Sequence, residues 1–158
     1  MRDWVEHRAA QADYQVIWQC GKFYKEGVDA FMQGRSVPNL FYTDFIKRMD
    51  LAYAVADLLV SRAGAGTISE LCVAGKATIF VPSPNVAEDH QTHNAMALVE
   101  KNAALMVRDA DADARLLDTV EGLLTDDARL ADLERNILKL GRKDASEVIA
   151  KEVLKLIK

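Results

Sequence analysis

Cysteine, proline and an excess of positive charge are all scarce in this chain. Only 2 of its 158 residues are cysteine, 3 are proline and 8 are glycine. Cys20 and Cys72 sit in apolar surroundings (IWQCGK and SELCVAG), without CxxC spacing and without His pairs at metal-site intervals, so they read as reduced core thiols. The low proline and glycine content excludes collagenous and low-complexity chains. No window approaches the roughly 18 consecutive apolar residues that a membrane-spanning helix needs. The start, MRDWVEHRAA, is charged throughout and has no apolar leader stretch, which reads as a cytoplasmic location. Lys and Arg number 20 against 24 Asp and Glu, for a formal charge of −4. That balance lacks the basic field on which non-specific nucleic-acid binding relies, so no nucleic-acid partner is expected. What remains is 50% apolar and 28% charged, the make-up of a globular chain. At this length folding buries roughly 70% of the surface an unfolded chain exposes, one domain's worth of core.

The hydrophobic pattern alternates. A short amphipathic helix leads to a β-branched and aromatic strand at 14–20 (YQVIWQC), followed by a helix over about 24–33 closed by Gly34 and a short strand at 37–42. A helix from about 46 to 56 leads to the strand DLLVS at 57–61, a Gly-rich turn, a helix ending at Gly75, and the strand ATIFVP at 77–82. A long loop, a helix over about 91–101, the strand AALMVRD at 103–109 and three helices near 112–124, 126–141 and 144–157 complete the chain. Short continuous apolar strands separated by helices predict parallel strands covered on both faces and joined by right-handed crossovers. The expected fold is α/β, an open doubly wound parallel sheet in a single domain over 1–158. Such a sheet ordinarily opens with a strand and a Gly-rich turn, whereas this chain opens with the helix that would follow them. Its first strand is therefore expected to be missing.

In an open parallel sheet, ligands sit beyond the carboxyl ends of the strands. The loop Ser61-Arg62-Ala63-Gly64-Ala65-Gly66-Thr67 runs from a strand into the helix TISELCVAG. Small residues let the backbone approach an anion, and the helix start offers unpaired N–H groups and the positive end of its dipole. Two readings stand: a phosphate cradle, or a tight turn with Thr67 as N-cap and Glu70 closing a capping box. Glu70 is likewise either that capping group or an acid that accepts hydrogen bonds from a ribose diol. The polar loop Pro82 to Asn94 brings Asp89, His90, Gln91 and Asn94, with donors and acceptors suited to sugar hydroxyls. Spacing of i to i+4 puts His90 and Asn94 on one helical face. His90 and His93 lack a third ligand at a fitting distance, so no metal is expected. The loop Tyr42-Thr43-Asp44-Phe45-Ile46 reads as core packing, with an apolar cover for a flat base as the other reading.

Together, SRAGAGTISEL, the strand ending in VPSP, and DHQTHNA, in this order and spacing, resemble the carboxyl-terminal domain of the MurG family. The resemblance runs from about Gln15 to the end; the three last helices are compatible with it but unspecific. The family consists of UDP-N-acetylglucosamine-dependent transferases of peptidoglycan synthesis with a two-domain, GT-B type architecture, in which the second domain holds the donor and the first the lipid-linked acceptor. The resemblance implies that Ile46 meets the uracil, that Ala65, Gly66 and Thr67 with Gly64 form the turn that holds the diphosphate, and that Glu70 binds the ribose. It places His90 and Gln91 near the GlcNAc hydroxyls and matches Asn94 to the motif's asparagine; Arg62 stands beside the turn, to assist or to make structural hydrogen bonds. It implies inversion at the sugar carbon, UDP as leaving group, no metal or other cofactor, and a catalytic base in the acceptor domain. The acceptor lipid and a peripheral contact with the cytoplasmic face of the membrane are then expected only through that other domain, and this chain is expected to be inactive alone.

Three other readings remain open. The donor loops also suit another UDP-sugar GT-B enzyme, including the donor-binding subunit of a split transferase with a separate membrane-anchored partner. A non-catalytic nucleotide-sugar-binding module fits the same residues. UDP-sugar epimerases fit less well, because the acidic constellation they need is not evident. At the end of the chain, Val148, Ile149, Val153, Leu154 and Ile157 form an apolar stripe beside Lys151, Lys155 and Lys158. This stripe reads as a helix at 144–158 packing on the other domain, with an anionic membrane as the second possibility.

Overall fold

The computed structural model describes residues 1–86 and 89–157. The chain forms two compact units, Met1–Val55 and Ala56–Lys158. The first contains α1 (Arg2–His7), β1 (Val16–Gln19), α2 (Lys22–Met32), β2 (Leu40–Thr43) and α3 (Met49–Val55). The second contains β3 (Leu59–Ser61), α4 (Ala65–Ala74), β4 (Thr78–Phe80), α5 (His90–Val99), β5 (Leu105–Met106), a 3-10 turn at Asp109–Asp111, α6 (Ala112–Leu124), α7 (Asp127–Leu138) and α8 (Ala145–Leu156).

The alternation of strand and helix is the one expected from the hydrophobic pattern, and every strand pairing is parallel. In the first unit β1 pairs β2, from Val16 opposite Leu40 to Gln19 opposite Thr43. In the second the order is β3-β4-β5, with Leu59 opposite Thr78 and Ile79 opposite Leu105. The strands thus form a two-stranded sheet, β1-β2, in the first unit and a three-stranded sheet, β3-β4-β5, in the second. Among the described residues β1 and β3 each have a strand on one side only.

Most strands are shorter than expected, the one at 103–109 reducing to Leu105–Met106, and two starts move for identifiable reasons. Pro38 and Asn39 form a turn, so the strand expected at 37–42 begins at Leu40. Proline has no N–H to give a ladder, which confines it to the approach. The helix expected from 46 begins at Met49, leaving Ile46 in the β2–α3 loop, where its N–H donates to Gln19 Oε1 at 2.9 Å.

The first unit is held by Trp4, 1% exposed, whose indole N–H donates to the Tyr14 hydroxyl at 2.8 Å. Asn39 Nδ2 donates to the carbonyls of Ala9 and Tyr14, tying the α1–β1 connection to the start of β2. On α2, the Lys25 ammonium pairs with Asp29 one turn along and lies over the Tyr42 ring, and it holds the Asp29 carboxyl below the usual carboxylate range. The Cys20 thiol, half-buried, donates to Thr43 O.

The second unit is built around β4, buried along its whole length. Ile79 packs with Ala77, Val107, Leu123 and Leu133 in a cluster flanked by Leu116, Val120 and Leu130 of α6 and α7. Such a strand has no solvent face to alternate toward, and Thr78, Ile79 and Phe80 are all buried. Cys72 is buried on α4, and burial pushes its thiol pKa up, so it is an inert thiol. Both cysteines are free. No helix among the described residues is long and apolar enough to cross a membrane.

Helix α4 ends at Gly75, which is left-handed at φ 68°, and a Cβ there would lie 3.1 Å from Leu138 Cδ1. The left-handed cap costs a non-glycine residue about 1 kcal/mol. Gly75→Ala is therefore expected to lower the melting temperature by roughly 2–4 °C, read by thermal denaturation.

Candidate functional site

The candidate site is the edge of the second unit's sheet where β3, β4 and β5 end. Beyond the strands, the ladder continues with Val81 N–H donating to Ser61 O at 2.8 Å and Val107 N–H to Phe80 O at 2.9 Å. The three loops that follow therefore leave from one ordered edge.

The β3–α4 loop is short. Ala63 is fully buried, and Gly64, extended at φ −69° and ψ 143°, is the N-cap of α4. Among the described residues no side chain caps this helix start, and its first internal bond runs from Ile68 N–H to Gly64 O at 2.9 Å. Thr67 is thus inside the first turn, and the capping-box reading of Thr67 and Glu70 gives way to a glycine N-cap. The N–H groups of Ala65, Gly66 and Thr67 lie in the turn where a helix has no internal acceptors and where its dipole is positive.

Gly66 is informative. Its φ is not in the left-handed region, and a Cβ built there meets nothing within 4 Å among the described residues. Among the described residues neither backbone geometry nor packing calls for glycine, which is a poor helix former. The space beside its backbone is open. Glu70, exposed, lies four residues on, and so on the same face of α4 one turn further from the N-terminus.

The other loops hold this turn. Arg62 Nη1 donates to Val81 O at 3.1 Å and Pro82 O at 3.2 Å, and it pairs with the Asp109 carboxylate of the 3-10 turn. One guanidinium thus joins the ends of all three strands, and a carboxylate compensates its charge. Gln91 Oε1 accepts from Ala63 N–H at 3.2 Å and from Ser83 N–H at 2.9 Å. Asn94 Nδ2 donates to Ala63 O at 3.2 Å. His90, exposed, is the first residue of α5. Asp89 precedes it in the left-handed region at φ 50°, its carboxylate accepting from the Thr92 hydroxyl at 2.7 Å. Glu88, the other acid of the polar loop, lies outside the described residues.

The structure therefore brings Arg62, Gly64, Ala65, Gly66, Thr67, Gln91 and Asn94 to one loop cluster, with Glu70 a turn along α4 and His90 at the head of α5. Ile46 belongs to the other unit. Ala63, Ser83 and Asp109 are further participants that the motifs did not single out. Asp109 had a signal: it follows an apolar strand at the same sheet edge as Arg62, a cation in need of a counter-charge.

The family model of the glycosyltransferase family 28 C-terminal domain matches residues 2–149. The chain belongs to this family. Among curated family relatives, the UDP-N-acetylglucosamine--N-acetylmuramyl-(pentapeptide) pyrophosphoryl-undecaprenol N-acetylglucosamine transferase of Bacteroides thetaiotaomicron is 52% identical over 145 residues, 91% of this chain and 39% of the relative. The protein of the same name from Flavobacterium psychrophilum is 44% identical over 98% of this chain and 40% of its own length. The chain thus spans about two fifths of the length of these relatives. Among solved structures, MurG of Acinetobacter baumannii matches with a TM-score of 0.78 at 27% identity, over 98% of this chain and 46% of that one. The glycosyltransferase VinC, at 22% identity and a TM-score of 0.68 over 87% of this chain and 32% of that one, shares the fold. The expected resemblance to the MurG family and the GT-B type α/β fold are both met.

Proposed function

We propose that this chain is the donor-binding part of an inverting glycosyltransferase that moves GlcNAc from UDP-GlcNAc to undecaprenyl-pyrophosphoryl-MurNAc-pentapeptide in peptidoglycan synthesis. The observation that carries the reading is the uncapped start of α4 with open space at Gly66. A pyrophosphate seated there accepts from the first-turn N–H groups and meets the positive end of the helix. Glu70, one turn on, lies past the phosphates and accepts from the two hydroxyls of the attached ribose. His90 faces the sugar. The names of the relatives supply the sugar nucleotide and the acceptor.

The chemistry asked of this site is charge stabilisation. As the bond between the sugar carbon and the β-phosphate oxygen breaks, negative charge grows on departing UDP. Preorganised amides aimed at that oxygen lower the barrier without reorganising. Arg62 is assigned to the turn, its Nη1 donating to Val81 O and Pro82 O and pairing with Asp109. In this reading the group that takes the acceptor's proton, the acceptor site and the peripheral membrane contact lie outside the chain. The chain alone binds donor without turnover. Helix α8, whose Ile149 and Leu154 are 63% and 65% exposed, packs on the acceptor-binding domain.

Titration of the 15N-labelled chain with UDP and UDP-GlcNAc tests the reading. The amide signals of Gly64, Ala65, Gly66 and Thr67 are expected to move; signals unmoved at saturating UDP would reject it. Glu70→Ala is expected to weaken UDP about tenfold, the size of one or two charge-assisted hydrogen bonds, while leaving 2′,3′-dideoxy-UDP nearly unchanged. Equal losses for the two nucleotides would remove Glu70 from the ribose.

A further inference from the structure

We infer that Gln91 and Asn94 are positioning residues that fix the phosphate turn by gripping both polar groups of Ala63, Gln91 as an acceptor and Asn94 as a donor. The ligand part of this inference rests on the sugar-nucleotide reading above; the structural part does not.

The main chain decides the orientation of both amides. A backbone N–H only donates, so the Gln91 atom that meets Ala63 N–H and Ser83 N–H is the oxygen. A carbonyl only accepts, so the Asn94 atom that meets Ala63 O is the nitrogen. The two residues are three apart on α5, which puts them on one face of the helix. Ala63 is fully buried, one residue before the N-cap of α4, and water cannot take over its N–H or C=O. Without the clamp the peptide groups leading into the first turn of α4 lose their partners, and the Ser83 loop loses its tie to the same point. Gln91 Oε1 is thus spent on the protein itself.

The opposite polarity of the two bonds makes a sharp test. Glutamate at 91 keeps an oxygen that accepts both N–H groups and sits favourably in the first turn of a helix. Aspartate at 94 replaces a donor by an acceptor facing a carbonyl. The clamp therefore tolerates an acid at 91 and not at 94, an asymmetry that direct contact of both amides with sugar hydroxyls does not produce.

The experiment is amide hydrogen exchange and 13C′ chemical shifts of Ala63 and Ser83, by NMR on the full 158-residue chain without ligand. Gln91→Leu is expected to speed exchange of the Ala63 and Ser83 amides together by about tenfold or more, with the Val81 and Val107 ladder amides unchanged. Gln91→Glu is expected to retain protection, and Asn94→Asp to shift the Ala63 carbonyl signal and lose it. Unchanged exchange in Gln91→Leu, or the same response to both acids, would overturn the clamp. Should Gln91→Leu not fold, the two acid variants still decide. In titrations, Gln91→Leu is expected to weaken UDP and UDP-GlcNAc by the same factor; a loss confined to UDP-GlcNAc would assign the residue to the sugar instead. A wild-type chain that binds neither nucleotide refutes the proposed function, while the exchange comparison still tests the clamp.

Discussion

Gly66→Ala is expected to leave the chain as stable as before, or slightly more so, and to weaken UDP about a hundredfold, or about 2.8 kcal/mol. The two halves of this outcome come from different physics. In the free chain a Cβ at 66 points into open space and the backbone is not left-handed, so nothing is strained. Alanine is also the better helix former, which favours the folded state by up to about 1 kcal/mol. A phosphate that contacts the first-turn amides must come to hydrogen-bond distance of the backbone, and the methyl group occupies that approach. Most mutations that harm binding also harm the fold, so a stabilised and non-binding variant is diagnostic. Calorimetric titration with UDP beside a thermal melt checks both halves. Unchanged affinity would show that the anion does not sit at the start of α4.

Gly141→Ala is expected to have the largest effect on stability, about 2–3 kcal/mol, in the upper part of the range for overpacked sites. A Cβ on Gly141 would lie 2.7 Å from Cys72 O, 3.0 Å from Cys72 C and 3.2 Å from Val73 Cα. Those atoms are the backbone of α4, which cannot swing aside as a side-chain tip does. The link between α7 and α8 must either lift off α4 or bend it. At roughly 2–4 °C per kcal/mol for a chain of this size, the melting temperature should fall by about 5–10 °C. Gly122→Ala on α6 is the control, since nothing lies within 4 Å of its added Cβ and it is expected to be neutral or stabilising.

The contrast between these glycines bears on how much could be read beforehand. All of them look alike as letters. Gly66 was identified through its neighbours in a strand-to-helix loop, whereas Gly141 gave no signal, because its constraint comes from a segment some 70 residues away in sequence, beyond any local pattern. The same division runs through the fold. Helices α6 and α7 and the buried strand β4 follow from apolar periodicity and apolar runs, which local sequence carries. The start of α3 does not, because the loop before it is held by the bond from Ile46 N–H to the Gln19 side chain of β1. At the candidate site, polar side chains on the correct loops were readable as a group, but their direction was not. Gln91 and Asn94 present the donors and acceptors expected for a sugar, yet both point inward to Ala63, and only the three-dimensional path of the β3–α4 loop reveals that.

The placement of the two thiols has a practical consequence. Cys20 lies in the first compact unit and Cys72 in the second, both unpaired and both withdrawn from solvent to different degrees. A pulse of alkylating reagent therefore reads the opening of each half separately, through native chemistry and without an added label. Whether the halves melt as one cooperative body or in succession becomes a matter of comparing two modification rates along a denaturant series.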